Sequence, residues 1–171
     1  VMTIEFFPEE GKYHVDGHRN CGVRLDPAES IRQKNICPTC NKPETIGVLH
    51  RVEELADRVE GFKLRGAPPF KKLIPLQEII GEAFNAGPDT GGVQSERKKL
   101  LNHFGNELKI LLKVPLEDLK NFTHPLVSEG IKRVREEKVH IEAGYDGEYG
   151  TIHIFSDEER HANTKKQTTL F

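Results

Sequence analysis

Residues 18–40 read HRNCGVRLDPAESIRQKNICPTC and hold all three cysteines of the chain. Disulfides consume cysteines in pairs and a tetrahedral metal site takes four donors, so three thiols raise the question of a fourth ligand. Cys37 and Cys40 are separated by two residues, with Pro38 presetting the turn, and Asn41 follows, a residue that tolerates a left-handed backbone. His18 and Cys21 repeat that spacing. Between the two pairs LDPAESIRQ predicts a short helix, with Asp26 placed to cap, Pro27 at the first helical position and Glu29 where a capping box puts its acid. The expected site is therefore His18, Cys21, Cys37 and Cys40, with His14 and His50 as rival fourth ligands. A shell filled by four protein ligands leaves no position for water, so the expected ion is one structural zinc per chain rather than a catalytic metal.

Other residues offer little chemistry. His124 and Ser128 in HPLVSEG lack the glycine elbow of a nucleophilic serine, and on a helix such a pair is ordinarily surface. GAPPF and GPDTGG lack the spacing and the lysine of a phosphate-binding loop. Asp146 and Glu148 in GYDGEYG could face a metal, but a turn with glycines at positive φ and tyrosines covering a hairpin is the favoured reading.

The elements that must position these residues divide the chain. Its 171 residues suffice for one domain, or for a small module joined to a medium one. Residues 1–60 form the cysteine and histidine module. EGFKLRGAPPFKKLIP then packs three prolines and two glycines, which suits an extended linker over 61–72. Residues 73–155 follow as a helical domain. PLQEIIGEAFN places Leu76, Ile79, Ile80, Ala83 and Phe84 on one stripe, and HPLVSEGIKRVREEKV places Leu126, Val127, Gly130, Ile131 and Val134 on another. Shorter helices are expected in VQSERKKLLNHFG, NELKILLKV and PLEDLKNF, broken at Gly105 and the prolines. VHIEAGYDGEYGTIHIF changes the period to two, with Val139 and Ile141 before a reversal at Asp146 and Gly147, and Ile152 and Ile154 after it. Residues 156–171 are a polar tail. The fold class expected is mainly helical α+β: a small zinc-knuckle module joined to a helical domain closed by a β-hairpin.

Charge is nearly balanced, with 25 Lys+Arg against 27 Asp+Glu, so no global basic field announces a nucleic-acid binder. Local faces are more basic. Arg97, Lys98 and Lys99 cluster near a helix start, and Lys132, Arg133, Arg135 and Lys138 near a helix end, partly balanced by Glu96, Glu136 and Glu137. Such edges are compatible with gripping phosphates, and equally with a solvated face. No apolar run is long enough for a bilayer and no signal-peptide pattern opens the chain, which leads to the expectation of a cytoplasmic protein.

GKYHVDGHRNCGVRL, ICPTCNKPETIGVLHRVEELADR, FKKLIPLQEII and GYDGEYGTIHIF resemble successive blocks of the endonuclease Q family, over residues 4–155. The resemblance implies a relationship to metal-dependent DNA repair nucleases that nick on the 5′ side of deaminated bases such as uracil and hypoxanthine, or at abasic sites. In that family an N-terminal PHP phosphoesterase domain carries the catalytic metals, followed by a zinc-binding module and a helical C-terminal domain that engages DNA. Only the latter two are matched. The eight histidines show no cluster before residue 14, so no catalytic residue is assigned. The opening on Val fits an excised part of a longer chain, while Met2 also fits a start codon.

The last residues, KKQTTLF, resemble the start of a peptide that docks on the DNA sliding clamp, with Gln167 and Leu170 as anchors and Phe171 in place of the usual aromatic pair. Two readings follow. In one, the chain is the non-catalytic zinc and DNA-engaging part of a repair endonuclease acting on deaminated or abasic DNA. In the other, it is a freestanding zinc-containing adaptor that joins DNA or a protein to the clamp.

Overall fold

The computed structural model describes residues 2–59, 61–156 and 158–159. It divides into two compact units, one built from Phe7–Pro69 with Met2, Thr3 and Ile141–Ile152, the other from Phe70–His140 with Ile4–Phe6 and the described residues that follow Ile152. The hairpin read as closing the helical domain thus has its turn in the first unit. Among the described residues there are seven α-helices and three two-stranded sheets, a mixed α+β architecture dominated by helix.

In chain order the strands are β1 (Thr3–Glu5), β2 (Asp16–His18), β3 (Val23–Leu25), β4 (Phe70–Lys72), β5 (His140–Glu142) and β6 (Thr151–His153). The helices are α1 (Pro27–Arg32), α2 (Val48–Leu55), α3 (Leu76–Ala83), α4 (Gly91–Phe104), α5 (Glu107–Leu112), α6 (Leu116–Phe122) and α7 (Pro125–Arg135). The sheets pair β1 with β4, β2 with β3 and β5 with β6.

The first unit is an irregular scaffold around β2 and β3, which pair antiparallel with Asp16 opposite Leu25 and His18 opposite Val23. Pro27 opens α1 as expected, but Asp26 makes no side-chain cap; Glu29 accepts instead from Gln33, one turn on. Helix α2 was not anticipated from the sequence. It buries His50 and leaves Val48, Val52 and Leu55 exposed. The buried polar group Asp16 explains this arrangement, because one of its carboxylate oxygens accepts from the Gly47 N–H at the start of α2 and the other pairs with His50 Nδ1. A fully buried carboxylate must be satisfied in this way, and the partners fix where α2 sits on β2.

The turn at GYDGEYG belongs to this unit, and its glycines serve two purposes. Gly147 takes φ 87°, while Gly144 and Gly150 are needed for space: a Cβ on either would fall 2.3 Å from the Gly11 carbonyl oxygen or 2.2 Å from that of Glu9. Tyr145 is buried, but Tyr149 is exposed under the ammonium of Lys12 rather than covering the hairpin.

The second unit has an ordinary apolar core. Leu76, Ile79 and Ile80 of α3, Val93 and Leu100 of α4, Ile110 of α5, Leu119 of α6 and Val127, Ile131 and Val134 of α7 are all buried. The stripes expected on α3 and α7 face that core, with Phe84 and Leu126 half-buried at its margin. Charged side chains close the helix ends. Glu107 accepts from the Leu76 N–H at the start of α3 and from the Arg97 guanidinium, both at 2.9 Å. The Arg135 guanidinium donates to the carbonyls of Ile110, Leu111 and Val114 at 2.7–2.8 Å, satisfying the end of α5. Within the linker expected over 61–72, residues 70–72 form β4, and the Leu73 N–H donates to the Glu5 carbonyl.

Helix α7 approaches α3 at Gly130, where an added Cβ would lie 2.8 Å from Ile79 Cγ2. Gly130→Ala is therefore expected to destabilise the helical unit by about 1–3 kcal/mol despite alanine's better helix propensity. A urea melt followed by far-ultraviolet circular dichroism checks this; a stabilised variant would mean that the helices separate freely.

Candidate metal centre and basic faces

Two loops converge in the first unit. In the first, β2 ends at His18 and a single 3₁₀ turn, Arg19–Cys21, brings Cys21 round before Gly22 at φ 64° returns the chain into β3. In the second, the Asn41 N–H donates to the Cys37 carbonyl and the Cys37 N–H to the Lys42 carbonyl, with Asn41 at φ 57°. Both loops thus have two ligand candidates two residues apart, followed at once by a left-handed residue. That repeat makes His18 the counterpart of Cys37.

The ligand atoms of His18, Cys21, Cys37 and Cys40 all lie within 4.8 Å of one another, and Cys40 Sγ is 3.6 Å from His18 Nδ1. Zinc–sulfur bonds of about 2.3 Å in a tetrahedron separate neighbouring donors by about 3.8 Å. The donor set and its spacing therefore fit a metal ion, and Cys37 is fully buried at its heart. The rival His50 is engaged by Asp16, and neither His14 nor Asp146 nor Glu148 joins the cluster found among the described residues.

The thiols press on one another. Burial, then the side chains of Cys40 and Cys37, push the Cys21 thiol up to about 11. Burial acts on Cys37 in the same direction, but the backbone N–H groups of Cys40 and Thr39, with the Cys40 and Cys21 side chains, outweigh it and lower Cys37 below the usual thiol value. Cys37 favours its thiolate while Cys21 resists, a charge pattern that a divalent cation would neutralise.

Asp146 supports the first loop from the hairpin turn. Its carboxylate accepts from the Arg19 N–H at 2.7 Å and from the Thr45 hydroxyl. Burial works against its ionisation, but these donors and the nearby charges of Arg19 and His18 hold it below the usual carboxylate range. The sequence favoured a turn here over a metal ligand, and Asp146 does sit in a turn, outside the donor cluster; what the sequence did not show is that its carboxylate fixes the 3₁₀ turn between His18 and Cys21. Only the fold could show this, because 127 residues separate the partners.

The basic residues divide by their partners. On α4, Arg97 is held by Glu107, Lys99 pairs with Glu96 at 3.2 Å, and Lys98 is exposed. On α7, Lys132 meets Glu129 at 3.6 Å, while Arg133 is gripped by Glu159 at 2.7 Å and Glu129 at 3.2 Å. Arg135 caps α5 as described, and its half-burial lowers its pKa. Lys138 pairs with Glu136 at 2.8 Å. Gln167, Leu170 and Phe171 lie outside the described residues. No described helix is long and apolar enough to cross a membrane.

A thiol-rich metal-type module and a mainly helical unit with basic edges define the class: a small Cys₃His module in one chain with a helical domain. Comparison with known proteins narrows it. Residues 75–138, most of the helical unit, match the family model described as the MJ0043 C-terminal domain. The chain is 38% identical over 146 residues to the uncharacterized protein MJ0043 of Methanocaldococcus jannaschii, covering 85% of this chain and 18% of that protein. It is 34% identical to the uncharacterized protein YqxK of Bacillus subtilis over 85% of this chain and 33% of that one. Among solved structures it superimposes on the lesion-specific endonuclease PfuEndoQ of Pyrococcus furiosus with a TM-score of 0.75 and 29% identity, over 93% of this chain and 40% of that one. A structure of endonuclease Q with a 27-mer duplex carrying an abasic lesion at the active site matches with a TM-score of 0.70 and 29% identity, over 92% and 39%. The chain resembles endonuclease Q along nearly its whole length and corresponds to less than half of it. It spans about a fifth and a third of the curated relatives.

Two outcomes are expected. Asp146→Ala should weaken binding of a divalent ion by about tenfold, read by competition with a chromophoric chelator, while exposed Glu148→Ala leaves it unchanged. The Glu159 carboxyl is held down to about 2 by the Arg133 guanidinium and the Ser156 N–H, against opposing burial. Because its folded pKa is depressed, its contribution to stability is present above the ordinary value of 4.5 and is lost as pH falls toward 2. Melts between pH 5 and pH 2 should show a loss that Arg133→Ala shares in smaller measure; equal pH slopes would mean that the pair contributes nothing.

Proposed function

We propose that this chain is the non-catalytic, DNA-engaging part of a repair endonuclease that acts at deaminated bases or abasic sites, with a zinc ion holding its first unit together. The observation that carries the reading is the structural match to a lesion-specific endonuclease over 93% of the chain. The abasic duplex bound by endonuclease Q supports the choice of damaged DNA as partner. Nicking itself is assigned to the portion of the longer endonuclease Q chains that this chain does not match, about three fifths of their length.

Zinc is the ion of choice because three thiols and an imidazole are soft, tetrahedral donors. With all four positions taken by protein, its role is to cross-link two loops. The domain scheme that goes with this reading is a zinc module over residues 1–60, a linker over 61–72, a helical domain over 73–155 and a tail over 156–171. Lys98, Lys99, Lys132 and Lys138 would meet phosphates, exchanging intramolecular carboxylates for DNA, while Arg97, Arg133 and Arg135 hold their helices in place behind them. The tail would bring the protein to the sliding clamp through Gln167, Leu170 and Phe171.

Gel shifts on abasic, uracil-containing and undamaged duplexes of one sequence test the reading. Tighter binding to at least one damaged duplex is expected; equal or absent binding to all three overturns it. Metal analysis is expected to give one zinc per chain. Cys37→Ser should lose it and loosen the first unit while the helical unit keeps its melting transition. Full zinc retention by His18→Ala would exclude His18 as the fourth ligand.

A further inference from the structure

The helical unit carries an aromatic stack at its surface that the basic residues alone do not explain. His103, in the last turn of α4, lies on the ring of Phe122 at the end of α6, with centroids 3.9 Å apart and planes 16° from parallel. Phe104 meets both rings edge-on, 4.5 Å from His103 and 5.2 Å from Phe122. The two phenyl rings are half-buried and anchor the group, whereas His103 is exposed. Lys99, one turn before His103, stands 5.0 Å from the centre of the Phe122 ring. Glu96 holds that lysine and also accepts from the Thr123 hydroxyl. Lys98 is exposed on the neighbouring part of the helix, and Lys120, paired with Glu117, lies on α6.

A lone surface histidine explores several rotamers and loses that freedom on binding anything. This one is already fixed flat against Phe122, so a planar ligand that covers it gives up little further entropy. A flat ring with lysines beside it matches a nucleobase and its phosphate. In an intact duplex both faces of every base are covered by neighbours. A protein ring can stack only where a base is unpaired, at an end, or turned out of the helix.

We propose that His103, backed by Phe122 and Phe104, is a stacking platform for an unpaired nucleobase, such as the one an abasic site leaves without a partner, with Lys98 and Lys99 taking the adjoining phosphates. The proposal rests on the DNA-engaging reading above and deepens it: the basic faces give general affinity, and the stack gives preference for DNA whose pairing is broken.

The chain has no tryptophan, so His103→Trp places a single fluorophore in the stack. With the full chain loaded with zinc, titration by an abasic duplex should quench that fluorescence and keep affinity at or above that of the wild type. Titration by the undamaged duplex of the same sequence should leave the fluorescence near its starting level. His103→Ala, whose side chain is exposed, should retain the wild-type melting temperature and bind the abasic duplex about tenfold more weakly, the loss of one stacked base, with undamaged duplex unaffected. Unchanged affinity of His103→Ala for the abasic duplex overturns the platform, as does equal weakening on both duplexes. In those cases tighter wild-type binding to the abasic duplex leaves the DNA-engaging reading standing. A wild-type chain that binds neither duplex removes that reading and the platform with it.

Discussion

The convergence of His18, Cys21, Cys37 and Cys40 within 4.8 Å is the constraint on which the first unit depends, because little else there can hold it. Its buried apolar side chains are those of Phe7, Val15, Pro27, Cys37 and Tyr145; the rest of the described apolar core lies in the helical unit. Asp16, Ser30, Glu44 and His50 are buried alongside them. An interior this polar gains little from leaving water, and its strands are three residues long. Small modules of this kind are stabilised by cross-links, and metal ligation where the two loops meet is one that the four clustered donors could provide.

The helical unit solves the same problem by burial, and its charged residues serve the ends of helices. Glu107 closes α3 and holds Arg97, Glu82 accepts from the Ile154 and Phe155 N–H groups, and Arg135 closes α5. Arginines close to an expected phosphate-binding face are thereby committed to carbonyls and carboxylates of their own chain. Lys132 and Lys138 make single pairs at the surface, which are worth little and exchange readily. Composition counts both kinds as positive charge; only their partners separate them.

Legibility in the sequence followed the range of the interactions. The candidate metal cluster was readable because the spacing within each pair is local, and so were the stripes of α3 and α7, where Leu76, Ile79, Ile80, Val127, Ile131 and Val134 recur at helical period. Helix α2 was missed because its apolar residues point outward and its placement comes from buried Asp16, 34 residues before His50. The role of Asp146 was invisible for the same reason. Exposed rings carry no periodic signal, so the stack of His103 on Phe122 emerged only when α4 and α6 were seen side by side.

Asp146 also bears on the order in which the molecule can be completed. The first unit takes its last stretch of chain from Ile141–Ile152, so Phe70–His140, the bulk of the helical unit, is inserted between its two main parts. A ribosome must therefore synthesise α3 to α7 before the loop carrying His18 and Cys21 receives its last hydrogen bond. Closing so long a loop costs only slowly more entropy with length, and a helical insert that folds locally shortens the effective span. Synthesis thus completes neither unit before the last stretch of chain emerges: Asp146 arrives late to steady the loop of the first, and Ile154 and Phe155 arrive later still to fill the core of the second.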